Sequence, residues 1–336
     1  MLTTRLSTPR LPVTRYLATR FPARRFSTTL LLATLLLLTC LAAAAGCGRH
    51  DRNRALAEPN LLSYSRIAQA QTHGRGAGCL VAILDWQFDL SGPEAEKYVE
   101  PTSLVPGEAI GELKPWHGEW MAEIVHTIAP EAKIMPIKAR GLEQADYQDN
   151  VIAGIRLAAD RGAVAVTCSM GPVKASPELS AAVDYAEARG TVFVNVHPEI
   201  VPGQDGKYRL CDGSACDGRI LSTGVVSVPD HPAEPEPERD IYVWPYDLEA
   251  HWEDGWGYSN GPPTVAGVIA LLKSAAPGLT PAEIRRLIVT TARIENGFAV
   301  LDAEAALLAA GAPAAGAPAA GEPAAEPDAA EPATAE

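Results

Sequence analysis

Between residues 80 and 290 the hydrophobic positions change period repeatedly, passing from short continuous apolar runs to stripes spaced three and four apart. Residues 80–84 (LVAIL) form one such run and end at an aspartate, the pattern of a buried strand. Met121, Ile124, Val125 and Ile128 then recur at i, i+3, i+4 and i+7 and predict a helix. A strand at 133–137, a helix around 150–160, a strand at 163–168, a helix at 177–188 and a strand at 191–196 follow. After a Gly-, Asp- and Pro-rich excursion, strand candidates occur at 224–228 and 241–244. Val265, Val268, Ile269 and Leu272 mark another helix face, and Thr280 opens a last long helix with Pro281 and Glu283 in its first turn. β-Branched strands alternating with amphipathic helices predict an α/β fold, here a three-layer α/β/α domain with a mostly parallel central sheet.

The two ends break this pattern. Residues 1–29 hold six arginines and no acid, and an apolar run extends over 30–45, interrupted only by Thr34, Thr39 and Cys40. Residues 1–46 therefore read as a signal peptide. The small residues Ala44, Ala45 and Gly46 stand directly before Cys47 and resemble the lipobox of bacterial lipoproteins, which makes Cys47 the lipidation candidate and residues 47–62 a linker. The alternatives are cleavage at a nearby alanine, or an uncleaved anchor shorter than the roughly 20 residues that span a bilayer. All of these place the remainder outside the cytoplasm. A lipidated form would be a membrane-anchored lipoprotein facing the periplasm or cell surface. Residues 309–336 are almost entirely Ala, Pro, Gly and Glu in a loose repeat and predict a disordered tail, leaving 63–308 as one domain.

Charge narrows the partners. The formal net charge is -13, from 28 Lys+Arg and 41 Asp+Glu; residues 1–46 hold six of the bases and no acid, so the chain from Cys47 carries 22 minus 41, or -19. So acidic a body disfavours nucleic acid and disfavours anionic lipid by charge. A lipid at Cys47 would make the membrane contact. No pattern speaks to oligomeric state. Of the cysteines beyond Cys47, Cys211 and Cys216 flank a turn-rich segment and predict a short-loop disulfide in an oxidising compartment, a half-built metal site being the minor alternative. Cys79 and Cys168 lie in apolar runs and read as buried small hydrophobes.

Three stretches carry chemistry: VAILDWQFD, HGEWMAEIV and GYSNGPPTVAG. Asp85 ends a buried strand, where catalytic groups collect in open α/β sheets, although a lone aspartate there, like Asp89, is far more often a turn or cap residue. His117 opens a helix, with Gly118 permitting close approach of another backbone. A histidine acting as general base needs a carboxylate to hold one tautomer, and Asp85 is the candidate. Ser259 precedes a helix whose first turn holds Pro262 and Pro263, so a helix N-terminus would stand behind an oxyanion formed there; a plain N-cap serine fits the position equally well. The chain order Asp, His, Ser gives the trio its meaning.

These motifs resemble those of the subtilase family, the subtilisin-type serine peptidases, with Gly257, Ser259, Pro263, Val265, Ala266 and Gly267 matching in the serine stretch. SRIAQAQTHGRGAG, IAPEAKIMPIKA, CSMGP and LTPAEIRRLIVTTA extend the resemblance to residues 63–308. It implies a peptide or protein substrate, attack by Ser259, Ser169, Met170 and Gly171 lining the substrate cleft, and no required cofactor. Calcium is common in that family, but no oxygen-ligand loop of recognisable spacing is present. Gly257-Tyr258-Ser259-Asn260-Gly261 also satisfies the G-x-S-x-G elbow of α/β-hydrolases, yet that fold needs a histidine after the serine and the last histidine is His251. No HExxH or HxxEH zinc signature occurs.

The departures are specific. Trp86 and Gln87 replace a small hydroxyl residue and glycine after the aspartate, and Tyr258 and Asn260 flank the serine where a threonine and an apolar residue are usual. Where the family continues into Ala-Gly-Asn, whose asparagine donates to the oxyanion, this chain reads VHPEI, with Glu199 at the ungapped position. Asn195 and His197 are the two candidate substitutes. The expectation is a lipid-anchored serine endopeptidase; the alternative is a catalytically weak or inactive subtilase fold that binds peptides or protein partners.

Overall fold

The computed structural model describes residues 61–112, 116–142, 147–203, 205–211, 216–226, 239–244 and 258–312. The proposed signal, Cys47, Gly257 and the sequence beyond 312 lie outside the described residues. The described elements run, in chain order, α1 (Ile67–Ala70), β1 (Leu80–Asp85), β2 (Thr102–Ser103), α2 (His117–Ile128), β3 (Lys133–Lys138), α3 (Tyr147–Asp160) and β4 (Ala165–Cys168). They continue with α4 (Pro177–Glu187), β5 (Val192–Asn195), β6 (Ile200–Pro202), β7 (Tyr208–Leu210), β8 (Leu221–Val225), β9 (Ile241–Val243), α5 (Gly261–Ala275), α6 (Pro281–Thr290), β10 (Arg293–Glu295), β11 (Phe298–Val300) and α7 (Ala303–Ala309).

Nine strands form one sheet in the order β10-β11-β9-β8-β5-β4-β1-β3-β2, parallel throughout except for the β10–β11 hairpin. The three-layer α/β/α expectation holds. Strands buried on both faces need near-continuous apolar sequence, and Val81 to Leu84 are each fully buried. One face of the sheet packs on α2, α5, α6 and α7 through Val81, Ile83, Val192 and Val194. The other face packs on α3 and α4 through Ala82, Leu84, Val166 and Phe193.

Helix starts follow local chemistry. Ser176 caps α4 by accepting the Leu179 amide at 3.1 Å. Thr280 and Glu283 form a reciprocal capping box on α6. α5 is buried from Gly261 to Leu272, as expected of a helix apolar on every side. It lies so close to α2 that a Cβ on Gly267 would stand 2.7 Å from Ile128 Cγ2 and 2.8 Å from its Cβ. Gly267→Ala is therefore expected to lower stability by about 1–3 kcal/mol through overpacking, read as a lower denaturant midpoint at unchanged m-value.

One expectation is corrected and one is extended. The strand predicted at 224–228 begins at Leu221, because Ser222 enters the sheet with its amide and hydroxyl both satisfied by Asp240 Oδ2, at 2.7 and 2.6 Å. The polar pair Ser222 and Thr223 had masked the strand start. Beyond the last long helix, opened by Thr280, lie elements that the periodicity did not mark: β10, a turn at Asn296-Gly297 with φ of 51° and 87°, β11 and the short α7. Asn-Gly was the available hairpin signal.

Candidate active site

β1, β4 and β5 lie side by side in the sheet, with Leu84 opposite Cys168 and Cys168 opposite Asn195. Asp85 ends β1 and is fully buried. Asp89, four residues on, is a turn residue whose Oδ1 accepts the Ser91 amide and hydroxyl at 2.8 and 2.7 Å. Asp89 thus serves loop architecture.

His117 is the first residue of α2, and its Nδ1 lies 2.8 and 2.9 Å from the two Asp85 oxygens. An ionised carboxylate only accepts, so Nδ1 carries the proton and Nε2 of the neutral ring faces away as the acceptor. The close approach depends on Gly118, whose amide donates to the Gln87 carbonyl at 2.9 Å. A Cβ there would fall 2.6 Å from the Phe88 ring and 2.8 Å from that carbonyl. Burial strips water from the His117 ring and by itself lowers its pKa; the Asp85 charge and hydrogen bond raise it further than that, against a smaller lowering by Arg140. The balance lies above the ordinary histidine value.

Ser259 sits in a 3-10 turn (Tyr258–Asn260) that leads into α5 and packs against α2. The N-cap of α5 is Asn260, not Ser259, and its side chain makes no capping bond. Instead Ser259 Oγ donates to the Ser169 carbonyl at 3.2 Å, and Ser169 Oγ donates back to the Ser259 carbonyl at 2.8 Å. This reciprocal clasp locks the serine turn to the end of β4, 90 residues away in sequence. The N-cap explanation of Ser259 therefore fails.

Asp85, His117 and Ser259 stand on three elements that meet at the carboxyl edge of the sheet, with the fixed base tautomer required for a serine nucleophile. The chain belongs to the subtilase family. The family model described as the subtilase family matches residues 76–196 and 250–318, more than half of the chain. Thermitase of Thermoactinomyces vulgaris is 27% identical over 243 residues, covering 67% of this chain and 84% of thermitase. Subtilisin DY of Bacillus licheniformis is 27% identical over 244 residues, covering 67% of this chain and 86% of its own. The crystal structure of MycP1 with its N-terminal propeptide removed matches with a TM-score of 0.58 at 22% identity, over 74% of this chain and 96% of that one, a likeness of fold. As a subtilase the chain is a serine-type endopeptidase.

The departures from the family pattern have structural partners in this subtilase. The Trp86 ring lies under Lys138 Nζ, 4.6 Å from the ring centroid, and the fully buried Lys138 pairs with Glu108 at 3.1 Å. Gln87 is also fully buried; its Oε1 accepts the Gly111 amide at 2.7 Å and its Nε2 donates to the Ala109 carbonyl at 3.4 Å, pinning the loop before α2. Glu199 is engaged elsewhere: its carboxylate accepts the Asp217 amide at 2.6 Å, and Asp217 follows Cys216 of the disulfide joining Cys211 and Cys216. Burial pushes the Glu199 pKa up. Asn195, at the end of β5, spends its amide donor on the His197 carbonyl at 2.7 Å and on the Gly171 carbonyl at 3.4 Å. The His197 ring lies 6.4 Å from that of Tyr258, the neighbour of Ser259.

Cys168 sits one strand from Asp85, but burial pushes its thiol up to about 11, and burial likewise raises Cys79. Neither is an activated nucleophile. Arg140, Tyr147, which lies 3.2 Å from Cys168 Sγ, and Arg239 near His197 were not singled out from the sequence, because no local motif marks them. For calcium, no group of three or more His, Cys, Asp or Glu side chains among the described residues could hold a metal ion, so no step is assigned to one.

Proposed function

We propose that this subtilase is an exported, lipid-anchored endopeptidase that cleaves peptide bonds through an acyl-enzyme on Ser259. The observation that carries the reading is the two-oxygen grip of buried Asp85 on His117 Nδ1, which leaves Nε2 as the base. The Ser259 hydroxyl leaves its rest position on Ser169, gives its proton to His117 Nε2 and attacks the scissile carbonyl carbon; His117 then returns the proton to the leaving amine. Water, deprotonated by the same imidazole, releases the acyl group. The Ser259 amide, two residues before α5, and a side chain at the end of β5 receive the oxyanion. An extended substrate adds a strand along Ser169, Met170 and Gly171.

Export rests on residues 1–46 and anchoring on Cys47. The Cys211–Cys216 disulfide fits an oxidising compartment. The inactive, peptide-binding alternative draws on the commitment of the Asn195 amide to main-chain carbonyls and of the Glu199 carboxylate, an acceptor, to the Asp217 amide. Reaction of the chain from residue 48 onward with a fluorophosphonate probe separates the two. Folded wild type should label covalently on Ser259 and Ser259→Ala should not; failure of folded wild type to label would establish the binding reading instead.

A further inference from the structure

Arg239 is almost completely buried, and its Nη2 lies 2.8 Å from His197 Nδ1. A guanidinium only donates, so this contact makes Nδ1 the acceptor and leaves the ring proton of His197 on Nε2. The geometry points to His197 Nε2–H as the second oxyanion donor of this subtilase, with Arg239 as the positioning residue that imposes the donating tautomer. The inference deepens the endopeptidase reading and rests on it.

Four further observations place His197 for the role. It follows β5 by two residues, at the sheet edge where the neighbouring strand β4 leads into Ser169, the partner of Ser259. Its carbonyl is held by the Asn195 amide at 2.7 Å, so the backbone that aims the ring is fixed. The residue is only partly buried, and its ring centroid lies 6.4 Å from that of Tyr258, the neighbour of Ser259. The competing candidates are engaged elsewhere: the Asn195 donors on two carbonyls, and Glu199 on the Asp217 amide.

The two histidines at the site then have opposite tautomers for opposite tasks. Asp85 accepts from Nδ1 of His117 and so makes its Nε2 a base; Arg239 donates to Nδ1 of His197 and so makes its Nε2–H a donor. A neutral imidazole N–H can stabilise an oxyanion as an asparagine amide does.

The test compares wild type, His197→Ala, His197→Gln and Arg239→Gln on a fluorogenic casein substrate and by the rate of fluorophosphonate labelling. His197→Ala should lower kcat and the labelling rate by about 10² to 10³ with KM unchanged, the usual cost of one oxyanion donor. His197→Gln, whose amide still donates, should recover part of the loss. In Ser259→Ala enriched with 15N-histidine, the NMR signals of His197 should show an unprotonated Nδ1 and a protonated Nε2, and Arg239→Gln in that background should mix the tautomers. Activity of His197→Ala within threefold of wild type, or an Nδ1–H tautomer in the NMR, would overturn the inference while leaving the peptidase reading intact. A larger loss from Arg239→Gln than from His197→Ala would also overturn it and assign the donor to the guanidinium. A folded wild type that does not label at all would end both readings.

Discussion

Ser259→Ala is expected to lower kcat on a casein substrate by about 10⁶, the scale on which a serine nucleophile and its base act as one unit. The fold should survive. The removed hydroxyl gives up one hydrogen bond to the Ser169 carbonyl, while the return bond from Ser169 Oγ needs only the main-chain carbonyl of residue 259 and persists. Loss of a single hydrogen bond costs roughly 1 kcal/mol, a small part of a domain's stability. Denaturant midpoints near that of wild type, together with the lost turnover, would assign the effect to chemistry. A residual rate within tenfold of wild type would mean that another residue attacks.

Asp85→Asn should lower kcat by about 10⁴, because an amide NH₂ facing Nδ1 would hold His117 in the wrong tautomer. It should also move the acid limb of the rate profile. His117 acts only when neutral, so wild-type activity should rise as pH climbs through a pKa above the ordinary value of about 6.5. Without the carboxylate, burial and the Arg140 charge remain and both lower that pKa, so the limb should shift to lower pH. Stability follows the same sign. A histidine whose pKa is raised on folding contributes stability that is fully present below the unfolded value and is lost as pH rises through the folded value. Wild type should lose this increment on the alkaline side of about pH 6.5, and Asp85→Asn should not. An unshifted limb in the variant would show that Asp85 does not govern His117.

How far the site was legible depended on whether its signals were local. Asp85, His117 and Ser259 each belong to a short stretch whose form follows from neighbouring residues: an apolar strand ending at β1, a helix start at α2, a proline-rich helix entry at α5. The small residues carried information too, since Gly118 and Gly267 stand where another group comes within van der Waals distance. The start of β8 and the β10–β11 hairpin were missed for a related reason: the strands are short, and Ser222 and Thr223 break the apolar pattern although the sheet buries both.

By itself the sequence determined the alternation of strands and helices from β1 to α6, apart from the short strands, and the mostly parallel character of the sheet, and it marked Asp85, His117 and Ser259 as the candidate trio. Periodicity and capping act over a few residues, and the direction of side chains along a strand or helix is set by backbone geometry. Tertiary structure alone decided what each polar group does with its hydrogen bonds. That Ser259 clasps Ser169 rather than capping α5, that Glu199 turns to Asp217, that Asn195 spends its amide on carbonyls and that Arg239 meets His197 across 42 positions are outcomes of packing. A buried donor or acceptor must find a partner wherever the fold supplies one, and that partner stands in the sequence at no fixed distance.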